Sequence, residues 1–422
     1  MKQKFEEVKQ MIFSEKFKDA KTTVKDCTDF AVNGIKNICS AFGPRPCGED
    51  SEKKAQEAMM QDLEGFCDSV TRETFKVNPD AFMSFVPIAG TALIGASALN
   101  TIGAFKKSKT ALGSIALIGG ALAGIAGEFV TYKKMLDPFF KEKESGNVIA
   151  VRKAKGETKR RVIISGHTDS APEWTYTYKL GSHGVIMVAG YAIAGLAYTA
   201  ATTAMVLKNK NICTAKKMAL GQAAFLPAYG ALYKFTNNKR YVDGANDDLT
   251  GCYISAAVMK YLSDNDIRFE NTEVVCMLAG GEEAGLRGSK AYFEAHPELK
   301  NDGVETIFIS LDTIRDEEYM MIYERDMTGT VKNDKRVCTL LKQAGAEFGM
   351  DIPVGAIPLG STDAAAASQA GIKAASFVAM DPAPARYYHT RLDTADILVP
   401  ETMEKALNVT LQAIFNYNQY GI

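Results

Sequence analysis

The chain has 422 residues with 49 basic and 50 acidic side chains, a formal net charge of -1. That length allows one large domain with insertions, or two domains. The charge balance excludes a dedicated nucleic-acid binder.

Eight cysteines are scattered without a Cys-x-x-Cys pair, several in apolar runs. Such spacing suits free thiols in a reducing compartment better than a disulfide framework. With only four histidines, any metal site must draw chiefly on carboxylates. The first residues, Met1 to Glu7, are charged and carry no apolar core segment, so no signal peptide is predicted.

In chain order, Glu6 to Phe42 has helical spacing and predicts one or two helices. Gly43 to Gly48 interrupts it. Ser51 is a candidate N-cap for a helix from Lys53 to Cys67. Glu73–Val77 alternates and predicts a strand. Residues 1–80 are read as the N-terminal helices and first strand of a catalytic domain.

The composition then changes. Ala81 to Phe105 and Thr110 to Gly127 contain no charged residue, and a basic loop separates them. Leu180 to Leu207 and Met218 to Tyr233 repeat the pattern around a second basic loop. Each pair predicts an apolar helical hairpin, at 81–135 and 176–240. A bilayer core needs about 20 apolar residues per helix, so the hairpins are candidate transmembrane segments. An Ala-rich helical cap on a soluble domain is the other reading. Both tips are basic, which the positive-inside rule places in the cytoplasm. With no export signal predicted, the catalytic portion is expected there too, and hairpins that crossed a membrane from that side would carry lysines over. The expected location is therefore membrane-associated with a cytoplasmic catalytic domain, or plainly cytoplasmic without insertion.

Between and after the hairpins, at 145–175 and 241–422, strands alternate with helices. Strands are predicted at Asn147–Val151, Arg160–Ile164, Glu273–Leu278, Glu305–Leu311, Tyr319–Tyr323 and Ala374–Phe377. Helices are predicted near Thr250–Asp264, Gly285–His296, Asn333–Phe348 and Glu401–Tyr417. This pattern implies an α/β fold, a mainly parallel mixed sheet flanked by helices.

Five short motifs fall at or just beyond strand ends or in glycine-punctuated loops: Gly166–Asp169, Gly244–Asp248, Gly280–Gly285, Leu311–Thr313 and Tyr387–Thr390. Ligands bind at the carboxyl ends of strands in open α/β sheets. His167 and Asp169, two apart on an extended chain, face the same way. Taken singly, Asp247 and Asp248 could cap a helix, and Glu282 and Glu283 could complement a helix dipole. Gathered together, two histidines and several carboxylates would repel one another without a cation. Two divalent ions resolve that conflict, and N and O ligands without thiolate suit zinc.

The order His-x-Asp, Gly-Ala-x-Asp-Asp, Glu-Glu-x-Gly-Leu-x-Gly-Ser, Asp, His resembles the M28 family of zinc peptidases. The resemblance covers roughly residues 43–80, 145–175 and 240–420, and the hairpins depart from the compact secreted members. It implies that His167 and Asp312 hold one Zn2+ and that Glu283 and His389 hold the other. Asp247 would bridge the ions, Asp169 would orient His167, and Glu282 would be the general base. Asp248 is expected to be structural, and Tyr388 and Arg386 are candidate substrate contacts. The implied reaction is hydrolysis of a peptide substrate, first as an aminopeptidase. A carboxypeptidase or another amide hydrolase on the same site, or a non-catalytic membrane-associated binding protein, remain as alternatives.

Overall fold

A computed structural model describes residues 20–208, 211–358, 360–383 and 385–422. The part of the helical expectation that falls on residues 6–19 lies outside the described residues.

Among the described residues ten strands form: β1 (Ser69–Val77), β2 (Lys143–Arg152), β3 (Arg160–His167), β4 (Pro172–Trp174), β5 (Thr236–Tyr241), β6 (Thr272–Ala279), β7 (Glu305–Ile314), β8 (Met320–Arg325), β9 (Val354–Ala356) and β10 (Lys373–Ala379). Eight of them make one sheet in the order β1-β2-β6-β3-β7-β10-β8-β9, and β4 and β5 pair separately. The central four, β6, β3, β7 and β10, run parallel, with antiparallel neighbours on both sides. The fold is α/β, a large mixed sheet flanked by helices.

Catalytic-domain helices preceding the first hairpin are α1 (Val24–Phe42) and α2 (Asp50–Glu64). The helices inserted into the domain are α3 (Phe85–Lys106), α4 (Ala111–Gly124), α5 (Thr175–Leu180), α6 (Ser182–Lys208), α7 (Ile212–Gly221) and α8 (Leu226–Leu232). The domain resumes with α9 (Leu249–Asp264), α10 (Arg287–Ala295), α11 (Lys335–Ala346), α12 (Asp363–Gln369) and α13 (Pro400–Tyr420).

The strand pleat divides the core. Val162 and Ile164 of β3 join Val274, Cys276, Ile307 and Ile309 in a cluster with α1, α2, α9, α11 and α13. Ile163, one residue out of phase, joins Val275, Met277 and Phe308 against α10 and α12. Both faces of β3 are thus buried, which is why its sequence is a continuous apolar run rather than an alternating one.

Several boundaries differ from the sequence reading. The second helix starts at Asp50, so Ser51 is inside its first turn and is not the N-cap, which is Glu49. The incoming turn is held from within the helix, where Glu52 accepts the amide of Gly48 at 2.7 Å. β7 continues past Asp312 to Ile314. Short β9, α12 and the β4–β5 ribbon carry no periodic signal and were not anticipated.

The inserted helices pack as one bundle. Ala104 and Ala111 from the first hairpin share a cluster with Val206, Ala215 and Ala219 from the second. A Cβ on Gly195 would lie 2.5 Å from the Tyr229 hydroxyl, so the smallest residue sets how closely these helices approach. The second arm of the later hairpin is broken: a 3-10 turn at Gln222–Phe225 separates α7 from α8, and Pro227 opens α8. Among the described residues, three helical spans remain long and apolar enough to cross a membrane, Phe82–Lys106, Ala111–Val130 and Ser182–Lys208. Only 28–39% of an 18-residue apolar window in each span is buried within the molecule. Ile94, Ile102, Ile115, Leu122 and Ile193 are among the large apolar side chains they expose.

Candidate metal centre

β3 places the first histidine. Gly166 lets helix α9 sit directly against the strand, since a Cβ there would lie 2.3 Å from the Cys252 amide nitrogen. That contact brings the start of α9, with Asp247 and Asp248 before it, alongside His167. The Asp247–Asp248 peptide is cis. Asp248 accepts amide hydrogens from His167 at 3.0 Å, Gly251 at 2.9 Å and Thr313 at 3.1 Å. It fastens three of the five motifs together and caps α9.

The Asp247 carboxylate lies between the two histidines. Its Oδ1 is 3.1 Å from His167 Nε2, and its Oδ2 is 3.1 Å from His389 Nε2. Glu283 Oε1 is also 3.1 Å from His389 Nε2. Ligand atoms of His167, Asp247 and Asp312 converge within 4.8 Å of one another, and so do those of Asp247, Glu283 and His389. Asp247 belongs to both sets. The Glu282 carboxylate stands 3.9 Å from His167 Nε2.

The surrounding groups hold these side chains in place. Asp169 accepts the amides of Glu282 at 3.0 Å and Glu283 at 3.1 Å. Its backbone carbonyl faces His167 Nδ1 at 3.1 Å, while its carboxylate is 3.5 Å from the same nitrogen. His389 adopts a φ of +51°, a region that few residues with a side chain visit. Trp174 donates its amide to the His389 carbonyl at 2.7 Å, and the Tyr388 ring stacks on the imidazole at 4.0 Å. Tyr388 therefore lies at the site. Arg386 is exposed and lines neither cavity beside it.

Three residues with positioning roles carried no warning in the sequence. Arg45, fully buried, donates to the carbonyls of Thr168, Asp243 and Gly244 and so ties the His167 loop to the Asp247 loop. Asp393 accepts from the Asn246 amide at 2.8 Å and the Asp247 amide at 3.1 Å. Trp174 packs edge-on against His389.

The electrostatics fit a cation. Burial pushes Asp312 up to about 7, and neighbouring Asp247 adds to the effect. Burial likewise raises Glu282 well above the usual carboxylate range despite opposing His167. His389 is raised to about 10: burial disfavours its charged form, but Glu283 and Asp247 outweigh that. His389 Nδ1 is buried without a hydrogen-bond partner, and the buried Asp247 Oδ2 and Glu283 Oε1 both crowd the one His389 Nε2. A packed set of N and O donors with unmet lone pairs is what divalent ions take up.

The model of peptidase family M28 matches residues 229–414. That span carries an M28 peptidase domain. It contains Asp247, Glu282, Glu283, Asp312 and His389, while His167 and Asp169 lie upstream of it. No curated protein matches the chain. Among solved structures, an aminopeptidase from Aneurinibacillus sp. strain AM-1 is 17% identical with a TM-score of 0.54, over 92% of this chain and 93% of that one. BSAP, a zinc aminopeptidase from Bacillus subtilis, is 15% identical with a TM-score of 0.54, over 92% and 95%. A glutaminyl cyclase from Bacteroides thetaiotaomicron, bound to N-acetylhistamine, is 15% identical with the same TM-score, over 92% and 97%. At these identities the likeness is one of fold. The M28 domain makes the chain a hydrolase of the peptidase class, and its finer reaction is argued from its own side chains.

Proposed function

We propose that this chain is a zinc exopeptidase, first an aminopeptidase, held at a membrane by its inserted helices. The observation that carries the reading is the Asp247 carboxylate, with one oxygen directed at each histidine. His167 and Asp312 would hold one zinc ion, Glu283 and His389 a second, and Asp247 would be shared. Bound there, a pair of ions supplies an acidified water and polarises the scissile carbonyl.

The remaining work falls to the chain itself. Glu282 is buried beside His167, where it would take the proton from the attacking water and hand it to the leaving amine. Asp169 fixes both glutamates through their amides, so Glu282 and Glu283 point to different tasks. Tyr388 braces His389.

The aminopeptidase reading is favoured over a carboxypeptidase by the walls of the site. Among the described residues, neither adjoining cavity is lined by a lysine or arginine that could receive a substrate α-carboxylate. All eight cysteines are free, which supports a cytoplasmic catalytic domain.

The test is a matched peptide set with both ends free, the N-terminus blocked, or the C-terminus blocked, each with and without a zinc chelator. Chelator-sensitive loss of the N-terminal residue, abolished only by N-terminal blocking, is the expected result. Cleavage abolished only by C-terminal blocking would overturn the aminopeptidase assignment.

A further inference from the structure

The metal centre opens on two cavities that meet at Met83, Pro172 and Glu283. The smaller, about 310 Å³, has Asp80, Ser170, Asn238 and Tyr241 in its wall. The larger, about 620 Å³, runs from Glu282, Glu283 and His389 between the inserted helices to Leu93 of α3 and Leu196 of α6. Among the described residues, its only acidic or basic lining groups are those at the metal centre. Ile186 and Ile193 line it and yet are 58% and 66% exposed. The cavity therefore opens on the flank of the bundle, through its apolar surface.

A peptide with a free amine would use little of this space, since one side chain fills only a fraction of it. An unbranched alkyl chain would fill it and shed water along its whole length. We infer that this centre also hydrolyses amides that join a long acyl chain to a polar amine, such as N-acyl amino acids. The chain lies in the bundle cavity, the polar amine in the smaller one, and the amide carbonyl at the junction beside Glu282. The flank opening admits the chain from a bilayer. The inference rests on the metal-centre reading proposed above.

The step balances without a further reactant. The water oxygen bonds to the carbonyl carbon and the C–N bond breaks. The water's proton, carried by Glu282, ends on the leaving nitrogen. The water's second proton leaves the new carboxyl group and is taken up by the amine, so the products are a fatty carboxylate and an ammonium.

The test uses the full chain with zinc, reconstituted in phosphatidylcholine vesicles. Glycine release is measured from N-acetylglycine through N-dodecanoylglycine, beside cleavage of Leu-Gly-Gly. In the parent protein kcat/KM is expected to rise about threefold per added methylene until the cavity is full. Gly190 lines the cavity, and a side chain built there meets open space. Gly190→Trp should fill the chamber and cut the dodecanoyl-to-acetyl ratio by roughly tenfold or more. Acyl glycines that are inert, or cleaved at a rate independent of chain length, while Leu-Gly-Gly is cleaved, would overturn this inference and leave the peptidase reading standing. Failure of every substrate with zinc bound would overturn both. The parent chain-length series decides the matter even if the variant does not fold.

Discussion

Arg287 donates to Glu128 at 3.1 Å, with both side chains almost wholly buried, across the join between the inserted bundle and the catalytic sheet. Arg287 also reaches Asp137 at 2.7 Å. Glu128 is the acid that ends the apolar run of the first hairpin, and it accepts the Leu136 amide at 2.6 Å as well. Taking away one partner of a buried pair leaves a charge without compensation, at about 3–5 kcal/mol. In Glu128→Ala, Arg287 keeps Asp137 but loses one buried partner, so the variant is expected to lose less, about 1–3 kcal/mol, in a denaturant titration. A midpoint unchanged from the parent would show that the pair does not hold the two parts together.

Glu282→Gln keeps the shape of the side chain and removes its proton acceptor. The variant should bind zinc in the parent stoichiometry while kcat falls by about 10²–10⁴-fold. Full turnover in the variant would sink the general-base role.

Asp393 touches no candidate metal ligand side chain, but it holds the Asp247 amide. Partners that orient metal ligands typically contribute 10–100-fold to affinity. In Asp393→Asn an amide nitrogen would face the donors that the carboxylate now accepts. Zinc affinity, measured by competition with a chelator, should weaken by about 10–100-fold while the circular dichroism spectrum stays that of the parent. Parent-like affinity would leave Asp393 a bystander.

Lys290 donates to the Tyr132 carbonyl in a partly buried setting, and that burial brings its pKa down to about 7. The unfolded chain keeps that lysine protonated up to about 10.5. Between those values the unfolded state binds more protons, so stability contributed by this group rises with pH across the window. Below pH 7 the charged form is carried in both states and the folded state bears its full burial cost. Lys290→Met should therefore melt above the parent at pH 6, with the gap closing towards pH 10. A gap constant with pH would rule the titration out.

The bundle should keep the protein in the membrane fraction through a high-salt wash, with detergent needed to release it. Recovery in the soluble fraction would make the helices a cap or a contact between copies.

Part of this architecture was legible in the residues because the His167 and Glu282–Glu283 motifs each end a short apolar strand beside glycine, and Asp312 lies in another such strand. The run Val162–Ile164 could be read as buried on both faces, which places His167 at a strand end. The brackets around the site were not legible. Arg45 acts through backbone carbonyls of loops more than a hundred residues away, a relation that no local pattern encodes. Asp393 looks like any acid in a polar turn until its two acceptor oxygens are seen beneath Asn246 and Asp247. The apolar helices were plain from composition, but a face that meets lipid and a face that meets another helix draw on the same residues. Their union in one bundle, and the 3-10 break at Gln222–Phe225, arise from tertiary packing that composition does not encode.

Inside that bundle, Asn100 donates to the Thr199 carbonyl, Thr203 Oγ1 and Gln222 Oε1. The donor belongs to the first hairpin and all its acceptors to the second. In a lipid setting neither hairpin could settle alone without stranding polar groups. The strand bearing His167 lies between them in the chain, so the ribosome delivers it after Asn100 and before Gln222. The two hairpins can therefore pair only after the His167 strand has been made, so that strand leaves the ribosome before the hydrophobic part is complete.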